Sequence, residues 1–105
     1  MWLLIDDVRN VNCDVIARNG PAGRRMLALG GWEALCLDHD LGDPGSETGY
    51  DVLVWALEND FVPPIVQLVT ANPVGQANMA RALVQAGYVS KDHRIFTKAA
   101  PPSQE

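Results

Sequence analysis

Acidic side chains stand at the ends of two short apolar runs of the sequence, and their spacing suits metal and phosphate chemistry. Asp6 and Asp7 follow one run, and Asp38 and Asp40 follow the other. Carboxylates crowded at one site repel each other, and each raises the pKa of its neighbours unless a cation is present. Oxygen-rich clusters suit hard divalent ions, of which Mg²⁺ is the usual intracellular example. We therefore expect a site for Mg²⁺ or another divalent ion, where phosphoryl oxygens could approach the carboxylates.

Residues that could bind a phosphate follow a third apolar run and the first acidic pair. Thr70 and Asn72 come directly after the run at 65–69, and Asn72-Pro73 has the order of a helix cap followed by proline. The backbone amides that open this helix could join Thr70 in binding a phosphoryl group. Arg9 could reach a phosphate or pair with Asp7. The alternative for the aspartates is that they only cap loops and helices, which Asp does well.

His39 stands between Asp38 and Asp40 and adds a group that can donate or accept a proton near neutral pH. Opening a cyclic phosphodiester needs an activated water and a proton for the leaving oxygen. Asp38 or Asp40, together with a metal, could activate the water, and His39 could supply the proton. The alternative is that His39 points inward and bonds a backbone group.

Short apolar runs alternate with longer periodic segments, which predicts an α/β fold with a parallel sheet of four to five strands, covered on both faces. The predicted strands cover residues 2–5, 14–17, 34–37, 65–70 and 94–97, and the predicted helices cover 22–29, 48–59 and 72–87. Right-handed crossovers bring the carboxyl ends of parallel strands to one edge, where such sheets bind ligands. We call this edge the rim; it is expected to carry Asp6, Asp7, Asp38, His39, Asp40, Thr70 and Asn72.

Length and charge exclude several classes of protein. A chain of 105 residues is the size of one domain, which we expect to span 1–98 with a loose tail at 99–105. Eight basic against thirteen acidic residues give a net charge of −5, which argues against binding duplex nucleic acid. No apolar run approaches the roughly 20 residues of a membrane span, and no signal peptide is recognisable. We therefore expect a cytoplasmic protein in which Cys13 and Cys36 are reduced, a disulfide being the less favoured alternative.

Four motifs resemble, in order, those of the response-regulator receiver domain. They are Leu4-Ile5-Asp6-Asp7, Asp38-His39-Asp40-Leu41-Gly42, Thr48-Gly49-Tyr50-Asp51-Val52-Leu53 and Thr70-Ala71. The resemblance implies a three-layer α/β/α, flavodoxin-like fold. It also implies that Asp6, Asp7 and Asp38 hold Mg²⁺ and that Asp38 accepts a phosphoryl group. Lys98 would be the phosphate-binding lysine of the family, with Lys91 as the alternative.

The chain departs from an ordinary receiver domain in its helices. Only 32 residues separate Asp6 from Asp38, so the first helix is expected to be reduced to a loop at 7–13. The chain ends soon after Lys98, so the last helix is expected to be missing.

The longer runs Leu-Ile-Asp-Asp-Val-Arg and Thr-Ala-Asn-Pro-Val-Gly more closely resemble trimmed receivers called cyclic-phosphate processing receiver domains, over residues 1 to about 86. This resemblance implies a metal-dependent phosphoesterase that acts on or binds a small phosphate, cyclic or nucleotide in nature. Two alternatives stay open. One is a non-catalytic receiver that senses a phosphoryl group or ligand. The other is a small interaction or inhibitor protein that uses the same scaffold to bind a protein partner.

Overall fold

Six strands and three helices make up the fold in a computed structural model that describes residues 1–10, 12–42 and 46–98. The predicted tail at 99–105 lies outside the described residues. The strands are β1 (Trp2–Ile5), β2 (Val15–Ala17), β3 (Ala34–Leu37), β4 (Ile65–Leu68), β5 (Tyr88–Val89) and β6 (Ile95–Lys98). The helices are α1 (Gly20–Leu29), α2 (Gly49–Glu58) and α3 (Pro73–Gln85). The predicted α/β class is confirmed, and most element bounds fall within two residues of those predicted.

The helices begin where the sequence places capping side chains. Asn19 accepts a hydrogen bond from the Ala22 amide at the start of α1. Thr48 and Asp51 form a reciprocal capping box at the start of α2, in which each side chain accepts from the other residue's backbone amide. Such caps satisfy amides that have no partner within the helix and so fix where the helix starts. Asn72 caps α3 in the same way, so the predicted starts of α2 and α3 are confirmed.

The sheet is parallel over its first four strands and reverses at its far side. Its order is β2-β1-β3-β4-β6-β5, with β6 antiparallel to both β4 and β5. The expectation of four or five strands, all parallel, is therefore wrong for the last part of the chain. The cause is a tight turn at 90–94, in which the Asp92 carboxylate accepts from the Arg94 and Ile95 amides. A short turn can join only antiparallel neighbours, whereas a parallel pair needs a crossover.

All three helices pack on one face of the sheet. The strand residues in register on that face, Leu3, Leu35, Val66 and Phe96, share one buried core with residues of α1, α2 and α3. Three successive right-handed crossovers in the same direction along the sheet place their helices on the same side. The predicted third layer is thus absent from the described residues, and the sheet with its helices forms two layers.

The other side of the sheet, which we call the second face, carries a row of residues in register: Ile16, Leu4, Cys36, Gln67 and Ile95. Ile16 and Ile95 at its ends are partly exposed, whereas Leu4 and Cys36 are fully buried. The connection from β1 to β2 runs along this face and contains no helix in its described residues, 6–10 and 12–14. The predicted reduction of the first helix to a loop is therefore confirmed for those residues. None of the described helices is long and apolar enough to cross a membrane.

Candidate metal and phosphate site

The rim brings three carboxylates together at the carboxyl ends of β1 and β3. Because Ile5 pairs with Leu37 in the parallel ladder, the residues that follow each strand are neighbours. Asp6, Asp7 and Asp38 each offer an oxygen within 4.8 Å of the others. Mg²⁺ is bound in proteins through a few carboxylates, with waters completing its shell. The donor set of this cluster therefore fits a hard divalent ion, as the spacing predicted.

Arg9 lies against the same carboxylates. Its Nη1 atom is 3.0 Å from Asp6 Oδ2 and 3.3 Å from Asp38 Oδ2, so one guanidinium bridges the ends of two strands. From the sequence, Arg9 was expected either to pair with Asp7 or to contact a phosphate. In the structure Arg9 instead pairs with Asp6 and Asp38. The guanidinium thus supplies positive charge among carboxylates that would otherwise repel each other.

The two buried carboxyls of the cluster differ in the direction of their pKa. Burial raises the pKa of Asp6, but hydrogen bonds from the Arg9 and Val8 amides and from the Arg9 guanidinium outweigh it, and the pKa lies below its usual value. Burial raises the pKa of Asp38, and the charge of Asp6 raises it further, against the lowering effect of the Thr70 hydroxyl. The ionised form of Asp38 is therefore disfavoured in this site, whereas that of Asp6 is already stabilised. A nearby cation should lower the pKa of Asp38 more than that of Asp6.

His39 is held by Asp40 and packs against the first turn of α3. Its Nδ1 atom is 3.0 Å from Asp40 Oδ1, and its side chain is 16% exposed. A Cβ atom on Gly75 would overlap the imidazole ring, so glycine at this position makes room for it. The hydrogen bond to His39 lowers the pKa of Asp40, which keeps that carboxylate ionised. The inward-pointing alternative required a hydrogen bond from His39 to a backbone group. The Nδ1 atom instead pairs with the Asp40 side chain.

Gly49 makes a second close approach that sets the position of His39. The Gly49 amide donates a 2.7 Å hydrogen bond to the His39 carbonyl, and a Cβ atom on Gly49 would overlap the Asp38 carbonyl. The start of α2 therefore rests directly on the backbone that carries the Asp38 and His39 side chains. This contact gives a structural reason for the Thr-Gly-Tyr-Asp order after the third strand.

Thr70 and Asn72 lie beside Asp38 and Asp40, but the start of α3 is not free to bind an anion in the predicted way. The Val74 and Gly75 amides donate to Asn72 Oδ1 at 3.1 and 3.0 Å. The expectation that these amides bind a phosphoryl group is therefore wrong, because the Asn72 cap already satisfies them. Two groups of this segment face the rim: the Thr70 hydroxyl and the Asn72 side-chain amide, whose Nδ2 atom is 3.5 Å from Asp40 Oδ1.

A cleft of about 390 Å³ adjoins the rim between α3 and the β5–β6 turn. It begins at Thr70 and Asn72 and extends along Ala77 and Ala80 to His93 and Arg94. The sequence interpretation missed Arg94, because it treated this segment as the start of another parallel strand. The polar run Ser-Lys-Asp-His just before it was the signal for a tight turn, which would have placed Arg94 at the rim edge.

Neither lysine proposed from the receiver resemblance reaches the carboxylates. The Lys98 amide donates to the Pro64 carbonyl at the amino end of β4, and its Nζ donates to the Ala86 carbonyl at 2.8 Å. Lys98 is thus at the edge opposite the rim, because β6 runs antiparallel. Lys91 lines a separate recess with Val89, Ile95 and Thr97, beside the second face. The assignment of Lys98 to phosphate binding is therefore wrong in this arrangement of strands.

The parallel strands, the acidic cluster on β1 and β3 and the threonine after β4 together define a receiver-like α/β domain. The family model for the cyclic-phosphate processing receiver domain matches residues 1–85, and the chain belongs to that family. Comparison with curated proteins gave no match, and comparison with solved structures gave none either. The family thus accounts for the acidic cluster, α1, α2 and α3, while the β5–β6 hairpin lies beyond the matched residues.

Proposed function

We propose that the chain is a divalent-metal-dependent phosphoesterase that opens a small cyclic phosphate at the rim. The observation that carries this proposal is the His39 imidazole, which is held by Asp40 and packed on Gly75 and belongs to the residue directly after Asp38 of the Asp6, Asp7 and Asp38 cluster. Phospho-acceptance by an aspartate does not require a histidine held in this way, whereas hydrolysis benefits from a positioned acid or base. The family's description as cyclic-phosphate processing agrees with this assignment.

The reaction adds one water to the cyclic ester. The water oxygen forms a bond to phosphorus, the bond from phosphorus to one ring oxygen breaks, and that oxygen takes up a proton. Asp6, Asp7 and Asp38 would hold the metal, which when bound draws electron density from phosphoryl oxygens and lowers the pKa of water. His39 would donate the proton to the leaving oxygen, while Asp38, when ionised, could accept one from the water. Asp40 acts through His39 as a positioning residue.

The surroundings of these residues supply contacts for the remainder of the ligand. The Thr70 hydroxyl and the Asn72 side-chain Nδ2 atom can donate hydrogen bonds to non-bridging phosphoryl oxygens. Arg9 can turn from the carboxylates toward the phosphate when a metal takes over their charge. The adjoining cleft, with Arg94 at its end, offers room for the organic part of the ester. The ligand class is therefore a small phosphoester, such as a nucleotide.

The first test is a Mg²⁺ titration of ¹⁵N-labelled protein followed by NMR. We expect amide shifts confined to residues near Asp6, Asp7, Asp38 and Thr70. Asp38→Asn should remove these shifts, and Asp60→Asn, which removes the same charge at the opposite edge, should retain them. Absence of shifts at millimolar Mg²⁺ would exclude the metal site and, with it, the proposed reaction.

Turnover is tested with 2′,3′-cyclic and 3′,5′-cyclic nucleotide phosphates, followed by ³¹P NMR in the presence of Mg²⁺. His39→Ala should keep Mg²⁺ binding and lose about 10²- to 10⁴-fold in rate, the usual contribution of a general acid. Asp40→Asn should lower the rate while preserving Mg²⁺ binding, because Asp40 contacts His39 and Asn72 and is not one of the three clustered carboxylates. An unchanged rate in His39→Ala would remove this residue from the mechanism.

A second candidate function is a phospho-receiver without turnover, which the Thr70 hydroxyl beside the Asp38 carboxylate favours. In this alternative Asp38 would take up a phosphoryl group, and the Thr70 hydroxyl would bind it. Incubation with acetyl phosphate and Mg²⁺, read by intact mass, distinguishes the two. A stable phosphoryl adduct that disappears in Asp38→Asn, together with no cyclic phosphate opening, would favour the receiver. No adduct together with turnover would favour the phosphoesterase.

A further inference from the structure

We propose that Cys13 and Cys36 form an oxidation site, at which a disulfide-class oxidant such as oxidised glutathione converts the two thiols into a reversible intramolecular disulfide. The observation that carries this proposal is the distance of 3.6 Å between the two Sγ atoms, which lie 23 positions apart in the sequence. From the sequence, reduced thiols were expected because a cytoplasmic protein was expected, and a disulfide was the less favoured alternative. The proposal does not depend on the function proposed for the rim.

Cys36 is fixed in position by the sheet. It lies in the middle of β3, paired with Leu4 on one side and Gln67 on the other, and it is fully buried on the second face. Burial, and then its contact with Cys13, raise the pKa of the Cys36 thiol to about 12. The thiol is therefore a poor nucleophile toward reagents in solution, because the thiolate is the reactive form.

Cys13 belongs to the connection from β1 to β2, and it is only partly buried. The connection is anchored next to it, since the Trp2 amide donates to Asp14 Oδ2 at 2.7 Å and the Asp14 amide donates to the Trp2 carbonyl at 3.0 Å. A disulfide has a sulfur–sulfur length of about 2.05 Å, so the two atoms must approach by about 1.5 Å. Cys13 stands outside regular structure, where a rotamer change and a small backbone movement can supply that approach.

The chemistry runs in two exchange steps that balance. The Cys13 thiolate attacks one sulfur of oxidised glutathione, the glutathione S–S bond breaks, and one glutathione thiolate leaves. The Cys36 sulfur then attacks Cys13 Sγ, the bond from Cys13 Sγ to the second glutathione breaks, and that glutathione leaves with the proton that Cys36 gives up. Two protein thiols are oxidised by two electrons, one oxidised glutathione is reduced to two glutathione molecules, and the leaving thiolates take up two protons.

The disulfide would tie the β1–β2 connection to the second face at Cys13, four positions after Arg9 in the sequence. Arg18 already holds this connection from the other side, through a 2.6 Å hydrogen bond from its Nη1 to the Arg9 carbonyl. In the oxidised protein, the segment that carries Arg9 would be fixed at both ends, by β1 before it and by the disulfide to β3 after it. Oxidation would therefore leave Arg9 less able to move. A cross-link restricts the unfolded chain as well, so the oxidised form should be more stable.

The experiment equilibrates the reduced, full-length protein with glutathione buffers of increasing oxidised fraction and measures intact mass after acid quenching. We expect a species lighter by two hydrogen atoms, monomeric on non-reducing gels, that returns to the reduced mass with dithiothreitol. Its Tm should exceed that of the reduced protein by roughly 10 °C. In Cys36→Ser, Cys13 should stop at a mixed disulfide with one glutathione, because no second thiol expels it.

Three outcomes would overturn the proposal. Wild-type protein that stops at one or two glutathione adducts would show that Cys36 does not reach Cys13. A disulfide-linked dimer would show that the exposed thiol reacts between molecules. Protein that remains fully reduced in oxidised glutathione would show that neither thiol is accessible. Cys13→Ser serves as the matched control, because its buried Cys36 should remain unmodified under the same conditions.

Discussion

At the scale of single residues, Arg9 defines the electrostatic state of the rim. Its guanidinium bridges Asp6 and Asp38, two of the three carboxylates that would hold a divalent ion. A divalent ion at these carboxylates would repel the guanidinium, so we expect metal binding to displace Arg9. Lys98, the lysine expected to bind phosphate, lies at the opposite edge because β6 is reversed. A displaced Arg9 would remain at the rim and could supply the positive charge in its place.

Arg9→Gln should therefore bind Mg²⁺ several-fold more tightly than the wild type and be less stable without it. We expect a loss of about 1–2 kcal/mol in the free energy of unfolding, below that of a fully buried pair because the Arg9 side chain is 36% exposed. Calorimetric Mg²⁺ titration and thermal unfolding with and without Mg²⁺ measure both effects. Arg25→Gln removes the same charge from the exposed surface of α1 and is the control. Weaker Mg²⁺ binding in Arg9→Gln would contradict the expected displacement of Arg9.

Asp38 gives a prediction about pH, because its folded-state pKa is raised, first by burial and then by the charge of Asp6. A raised pKa means that the ionised carboxylate destabilises the fold, and this cost disappears as the pH falls through the folded-state pKa. Asp38→Asn should therefore have a higher Tm than the wild type at pH 7 without divalent ions. The difference should shrink on acidification and vanish below about pH 3.9, the ordinary value for aspartate.

The same measurement separates Asp38 from Asp6, whose contribution has the opposite sign. Because the pKa of Asp6 is lowered, its ionised carboxylate stabilises the fold at pH values above the ordinary pKa of aspartate. That stability is lost as the pH falls through the folded-state pKa of Asp6. Both proteins share this loss, so it cancels in the difference between them. A Tm for Asp38→Asn below that of the wild type at pH 7, without metal, would refute the direction assigned to Asp38. In millimolar Mg²⁺ the order should reverse, since only the wild type binds the ion.

At the scale of elements, β6 has one face in the core and one face outside it. Phe96 is fully buried beneath the helices, whereas its neighbour Ile95 on the second face is 46% exposed. Phe96→Ala should cost about 3–5 kcal/mol in the free energy of unfolding, as expected for a large buried side chain. Ile95→Ala should cost less than about 1 kcal/mol. Urea unfolding of the two variants provides the comparison, and equal costs would mean that the second face is covered.

The elements also show how far the sequence could predict this structure. The runs at β1, β3 and β4, the Thr48 cap and the Asn72-Pro73 helix start were predictable, because each depends on local residue types. The rim residues Asp6, Asp7, Asp38, His39 and Thr70 followed from the rule that parallel strands share a carboxyl edge. The direction of β6 did not follow, since it depends on a turn of five residues rather than on the strand's own pattern. Lys98 was misplaced and Arg94 overlooked for this one reason.

At the scale of the whole molecule, the described residues form two layers, where the receiver resemblance implied three. The crossovers β2 to β3, β3 to β4 and β4 to β5 all run in the same direction along the sheet, so α1, α2 and α3 cover one face. The β1–β2 connection moves in the other direction, and it passes over the second face without forming a helix in its described residues. The thiol pair arises from this path, because the connection brings Cys13 to Cys36. No local pattern could reveal the contact, which depends on the order of the strands.

The reversal of β6 has a practical consequence for attaching this domain to other molecules. β1 begins and β6 ends at the same edge of the sheet, opposite the rim. Two strands, β3 and β4, separate them, so the two points lie about 14 Å apart at the usual spacing between strands. A fluorophore, a surface tether or a host protein joined at either point would therefore leave the carboxylates facing outward. The unit from Trp2 to Lys98 could be inserted into a loop of a carrier protein with its rim accessible.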